Sequence, residues 1–348
     1  MAGGMLYNGI EEQKMILACN ALSHFLVDAV CLATLFGAAK SGTDIAIAVL
    51  IYNTLAFTTQ CLTGWLVDRP GLARLLEAPS MLLVAAGYFL PGPLLLRVCL
   101  TGLGNSFFHV CGGRVTLEKS RGKAAPLGVF VAPGALGVAI GKCWPQLGAA
   151  LSVLLILMAG AVFLAYRKEP AELFVVEEKR RGPFPLLPVA ALTIAVAVRA
   201  IGGCAAVFPW NTGIATAVAT AVFVFAGKTA GGFLCDRTGA LRTSAVSILP
   251  AAVLTAFAAF SIPGSLLGQF LLNLSMPVTL WLLYRLLPDE PGFAFGLAAS
   301  ALWPGTLLGQ LIQLTGAAQK ALILFSFLLG LVSVWYSVIF LKKKGDRP

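Results

Sequence analysis

Twelve stretches of this chain are each long and apolar enough to cross a membrane as a helix. They lie at 14–37, 43–65, 77–91, 93–112, 125–143, 147–166, 184–206, 211–234, 243–261, 263–286, 292–313 and 318–341. A spanning helix needs ~20 mostly apolar residues, and the runs are separated by charges and by Gly/Pro clusters such as Pro91-Gly92-Pro93. Twelve helices of that length occupy ~240 positions, so the loops are short and no extramembrane domain is expected. The chain is 58% hydrophobic and 11% charged, against about 45–50% and about 25% in soluble domains. That excludes an ordinary soluble enzyme, a disordered chain and a nucleic-acid binder. The expected class is an all-α integral membrane protein.

The first run does not read as a cleavable leader. Glu11 and Glu12 precede it where positive charge belongs, and it is too long for a signal core. The eight cysteines all fall in or at the ends of apolar runs without metal-ligand spacing. They read as small buried hydrophobes, with no metal or cofactor expected.

The net charge of +10 follows the topology. With residue 1 on the cytoplasmic side, 19 of the 25 Lys and Arg fall in cytoplasmic segments, and only Lys40, Lys142 and Lys320 face the other way. Such asymmetry in short loops places both termini in the cytoplasm. The longest loop, 167–183, is charged and reads as a cytoplasmic linker between two six-helix bundles, 1–166 and 184–348.

The halves carry a repeat. Gly64, Asp68, Arg69, Gly71 and Arg74 follow the second run; Gly232, Asp236, Arg237, Gly239 and Arg242 follow the eighth, offset by 168 positions. Both copies fit G-x-x-x-D-R-x-G-x-x-R. The first glycine permits close helix approach, the second suits a tight turn, and the acid and arginines can bond across a helix gap. Bonds made in one global state and broken in another form a latch; loop capping and headgroup anchoring would serve either copy alone.

The motif pair, twelve runs and central loop together resemble the major facilitator superfamily of secondary transporters. Three further segments are similar to its fosmidomycin-resistance branch: Ser23-His24-Phe25-Leu26-Val27-Asp28, Gly102-Leu103-Gly104-Asn105-Ser106-Phe107-Phe108-His109, and Phe130 with Gly134, Gly137 and Gly141. Val110 stands where that branch carries proline. The resemblance implies two pseudo-symmetric six-helix bundles in a cell (inner or plasma) membrane, alternating access, and proton-coupled antiport of a drug or metabolite. It also implies a cavity lined by helices one, four, seven and ten, which carry Asp28, Arg97, Arg199 and Tyr284.

A charge near the bilayer centre costs at least ~2.5–3.5 kcal/mol on insertion scales, so ionisable groups there are functional candidates. They are His24, Asp28, Arg97, His109, Arg199 and Lys228, with Asp28 the one carboxylate placed well inside a run. His24 and Asp28 share a helix face and are assigned proton coupling, against a static ordering pair. His109, placed near the inner end of the fourth run, reads first as a structural hydrogen bond and second as a cavity residue. Three fixed cations against one acid favour an anionic substrate, and Arg suits carboxylate or phosphate. Asn20 and Tyr284 complete the substrate candidates. Pro133-Gly134 and Pro304-Gly305 occupy equivalent runs of the two halves and read as bending points.

The expected function is proton-driven export of a small organic anion by a monomer whose partners are substrate, protons and lipid. The alternatives are an importer or uniporter of a carboxylate or phosphate ester in the same fold, a multi-pass membrane enzyme, and a sensor on a transporter scaffold. The enzyme would want clustered acids or a nucleophile with its base, and the sequence offers neither.

Overall fold

The computed structural model describes residues 2–39, 41–168 and 183–345, with side chains described from Gln13 to Arg167 and from Pro183 onward. The linker expected at 167–183, Lys40 and the side chains of Glu11 and Glu12 lie outside the described residues, apart from the linker's two ends. Twelve helices are long and apolar enough to span a bilayer, and no strand occurs among the described residues. They are α1 (Ala2–Ala38), α2 (Gly42–Val67), α3 (Leu72–Phe89), α4 (Leu94–Lys119), α5 (Ala125–Cys143), α6 (Gly148–Lys168), α7 (Leu186–Ala205), α8 (Ile214–Thr238), α9 (Ala240–Phe257), α10 (Ile262–Leu286), α11 (Pro291–Leu311) and α12 (Gly316–Lys343). This is a multi-pass membrane protein. An even number of spans puts both chain ends on one side, called here the terminal face; the opposite side is the far face.

Of the boundaries that differ from the apolar runs, two matter for the site. Helix α3 begins five residues before its run, because Arg74 and Glu77 lie inside the helix; apolarity alone cuts the run there. Helix α4 continues past 112 to Lys119. His109 therefore stands ten residues inside the helix end rather than at it, and Glu77 joins Asp28 as a carboxylate within a span.

Two spans are irregular at mid-membrane. Helix α2 contains a π-helical turn at Thr54–Thr58, and such turns recur at functional sites. Ser300 of α11 donates to the carbonyls of Phe57 (3.0 Å) and Thr58 (3.1 Å), whose normal helical pairing the turn alters. Helix α5 consists of Ala125–Val131 and Pro133–Cys143, joined at Ala132. Helix α11 runs unbroken through Pro304, so the two proline-glycine pairs are not structurally equivalent.

In a bilayer, helices associate through close packing more than through the hydrophobic effect. Helix α5 accordingly lays Gly134, Gly137 and Gly141 against α1; a Cβ on Gly134 would stand 2.5 Å from Asp28 Oδ2 and one on Gly137 3.1 Å from Ala29 N. Large apolar side chains such as Leu62, Leu187 and Phe260 point outward, as a lipid-facing surface requires.

Candidate functional site

Helix α1 carries Asn20, His24 and Asp28 at four-residue spacing, so they share one face. All three are buried. Helix α4 meets that face with Asn105 and His109. Asn105 Nδ2 donates to Asp28 Oδ1 at 3.0 Å. His24 Nε2 lies 3.4 Å from Asp28 Oδ2, and His109 Nε2 lies 3.6 Å from Asp28 Oδ1. The two Nε2 atoms stand 2.9 Å apart.

The protons in this cluster can be placed by elimination. His109 Nδ1 faces the Asn105 carbonyl at 2.9 Å, and a carbonyl only accepts, so Nδ1 carries a proton. In the neutral ring His109 Nε2 is then an acceptor, and His24 Nε2 donates to it. His24 Nδ1 is buried with no partner among the described residues. The tilted ring of Phe130 covers His24 at 4.9 Å between centroids. Asp28, His24 and His109 thus form one hydrogen-bonded unit able to hold and pass a proton. Three such ligands are also a possible metal set by proximity, but Lys228 and Arg199 in the same cavity oppose a cation.

That cavity, of about 240 Å³, lies between the halves at mid-membrane. His24, Asp28 and His109 line it from one side, and Arg199, Lys228 and Thr279 from the other, with apolar walls from Phe57, Phe295 and Leu302. Arg199 Nη1 donates to Ser275 Oγ at 2.8 Å and Nη2 to Thr279 Oγ1 at 3.1 Å, both on α10. No carboxylate pairs with Arg199 among the described residues. Lys228 Nζ reaches the Val131 carbonyl of the other half at 3.5 Å.

The other substrate candidates stand elsewhere. Arg97 is near the far-face end of α4 and donates to the carbonyls of Gly87 (3.1 Å) and Tyr88 (2.7 Å), a cation satisfying the last carbonyls of α3. Asn20 faces Tyr166 inside the first half at 3.4 Å. Tyr284 does not line the cavity. The fourth helix contributes His109 in place of Arg97, and the tenth contributes Thr279 in place of Tyr284.

The repeated motif lies at the terminal face, where the halves touch. Asp68 accepts from the backbone N–H groups of Gly292 and Phe293, both at 2.7 Å. Asp236 accepts from Ala124 at 2.7 Å and Ala125 at 3.0 Å. Each acid therefore caps the first turn of a helix in the opposite half, where unpaired N–H groups and the helix dipole favour negative charge. Gly64 and Gly232 allow the contact: a Cβ there would stand 2.8 Å from the Gly292 carbonyl carbon or from the Ala125 Cα, respectively. Gly71 and Gly239 both have positive φ, 76° and 84°, which glycine adopts without strain.

Among the described residues no ion pair joins Arg69 to Asp68. Arg69 packs over the Trp65 ring, while Arg114 of α4, outside the motif, approaches Asp68 at 3.7 Å and binds Glu118 at 2.7 Å. Burial lifts the Asp68 carboxyl to about 6, against the lowering effect of its two N–H donors and Arg114. The remaining bonds between halves among the described residues reach from Trp303–Thr54 at mid-membrane to Trp281–Gly122 at the terminal face. Among the described residues the far-face half of the interface shows none, so the bonds that join the halves lie toward the terminal face.

Twelve helices in two halves, joined at one face around a central cavity, match known structures. The chain is similar to FucP, described as a major facilitator superfamily transporter in the outward conformation, with 12% identity, a TM-score of 0.70, and 94% of this chain and 99% of that one covered. The fold is that of the major facilitator transporters. The E. coli fucose:proton symporter FucP matches at 12% identity and a TM-score of 0.68 over 92% of this chain and 98% of that one. A bacterial homologue of the iron transporter ferroportin, outward-facing, matches at 16% identity and 0.60 over 96% and 100%. No family model and no curated protein matches the sequence. The major facilitator fold accounts for the duplicated motif, whose copies occupy equivalent places in the two halves.

Proposed function

We propose that this chain is a secondary transporter working by alternating access, which couples proton movement to passage of a small organic anion. The observation that carries the reading is Arg199: a guanidinium lining the central cavity, held by two hydroxyls, with no carboxylate partner among the described residues. An Arg so placed is completed by a substrate carboxylate or phosphate. The cavity volume is near the low end for ligand sites, ~300–1,000 Å³, and suits a small ligand. Asp28 carries the proton, with His24 and His109 as relay.

The electrostatics bear on direction. Protonating Asp28 removes a negative charge from a cavity that holds Arg199 and Lys228, and so strengthens anion binding. By linkage, the bound anion strengthens proton binding equally. Proton and anion then travel together, whereas antiport needs them to compete. The asymmetry of basic charge supports a cytoplasmic terminal face, and with that orientation proton–anion symport down an inward gradient is uptake. This favours the importer over the exporter that the family resemblance implies, and the fucose:proton symporter shares the fold. The terminal-face bonds of Asp68 and Asp236 hold the outward-facing state and break when the cavity turns inward.

The test is transport in proteoliposomes with a panel of labelled monocarboxylates, dicarboxylates and phosphomonoesters. An acidic exterior should drive accumulation of at least one of them, and an uncoupler should abolish it. D28N should keep counterflow but lose gradient-driven accumulation. Full retention of that accumulation in D28N sinks the coupling role. Extrusion driven by the same gradient restores export.

A further inference from the structure

We infer that Glu77 is a second proton-binding residue, which links the Asp28–His24–His109 unit to the terminal face through the interior of the first half. The inference rests on the proton-coupled reading above. Glu77 stands in the second turn of α3 and is fully buried. Its Oε2 accepts from the Tyr166 hydroxyl at 2.5 Å, and Asn20 Nδ2 donates to that hydroxyl at 3.4 Å. Its Oε1 has no partner among the described residues.

Among the described residues, the groups facing it cannot neutralise a carboxylate. They are Tyr166 of α6, Cys19 of α1 and Cys111 of α4. Arg114 of α4 is turned to Glu118, Asp68 and the Arg69 carbonyl. A buried carboxyl without a cation is accommodated by carrying a proton.

Its position completes a route. At ~1.5 Å of rise per residue, Asn20 lies about 6 Å from His24 along α1 and about 12 Å from Asp28, on the terminal-face side. On α4, Gly112 follows His109 by one turn. A Cβ on Gly112 would stand 3.4 Å from Glu77 Oε1, so the bare backbone there leaves the carboxyl open toward the turn that bears His109. On α1, between Asp28 and Asn20, His24 Nδ1, Ser23 Oγ and Asn20 Oδ1 are buried and without partners among the described residues. Buried polar atoms are normally bonded, to protein or to internal water. A row of them between two acids is a path along which a proton can hop. The transfer moves one proton and no electrons: the proton leaving Asp28 is accepted by the Glu77 carboxylate and then released to water at the terminal face.

The experiment uses the full chain in lipid, with protons as the probe. Infrared difference spectra between acidic and alkaline buffer should show, beside the band of Asp68 at the terminal face, two further protonated-carboxyl C=O bands from inside the first half. D28N should remove one and E77Q the other, and Y166F should shift the band that E77Q removes. A pH-indicator count of protons taken up should fall by one in E77Q. The amide of E77Q still accepts from Tyr166, and Y166F supplies the readout should E77Q fail to fold. An unchanged band pattern and proton count in E77Q, or a Y166F spectrum identical to wild type, overturns the inference. Loss of the D28N effect instead overturns the coupling reading, so the two failures are distinguishable.

Discussion

The Nε2 atoms of His24 and His109 stand 2.9 Å apart, so one proton occupies the space between two rings from different helices. Groups that act as one unit give non-additive losses. H24Q and H109Q should each reduce gradient-driven accumulation about tenfold or more, and the double variant should be little worse than the worse single. Initial rates at fixed gradient check this; fully multiplicative losses would show that the rings act separately.

Arg199 is expected to contribute one charge-assisted contact to the substrate, worth about 1.5–3 kcal/mol. R199Q should therefore weaken anion binding roughly tenfold to a hundredfold, while R199K, which keeps the charge but loses the fork held by Ser275 and Thr279, should fall between. Thermal-shift titration with the carboxylate and phosphate panel measures both. Equal stabilisation of wild type and R199Q by every anion would remove Arg199 from the site.

Closure at the terminal face depends on bare backbone. In G64A the added Cβ would meet the Gly292 carbonyl group, and D236A removes two inter-half hydrogen bonds. Both variants should expose the terminal-face side of the cavity. Faster alkylation of a cysteine placed at Ala298, a cavity-lining position, reports it; wild-type labelling rates in both would contradict the latch.

Asp68 adds a pH dependence. Its carboxyl is lifted to about 6 by burial in the closed arrangement, above the ~3.9 of a carboxyl in water. The closed form thus binds the proton more tightly, and closure gains as pH falls through 6 and levels off below about 4. The same alkylation assay should slow between pH 7 and 5 after correction for thiol ionisation. D68N should lose that part of the dependence; a D68N profile matching wild type rules it out.

The apolar runs located all twelve spans, because a bilayer imposes a length and a composition that side-chain detail cannot override. They misplaced the ends of α3 and α4, since a charged residue buried inside a bundle looks like a loop when only hydropathy is read. Glu77 was hidden for that reason, and His109 was set too near a helix end. Arg97 and Tyr284 fell on the expected helices but not at the cavity, because helix identity does not determine depth or facing.

The sequence by itself determined the membrane class, the duplication, the asymmetry of basic charge, and the pairing of His24 with Asp28, all of which follow from composition or helical period. Only the tertiary structure decided that His109 and Asn105 complete that pair, that Arg199 and Lys228 face it across one cavity, and that the motif acids bind helix ends of the opposite half. These are contacts between residues 77 to 225 positions apart in the chain, set by how glycine surfaces let the helices approach, and local sequence carries no record of that distance.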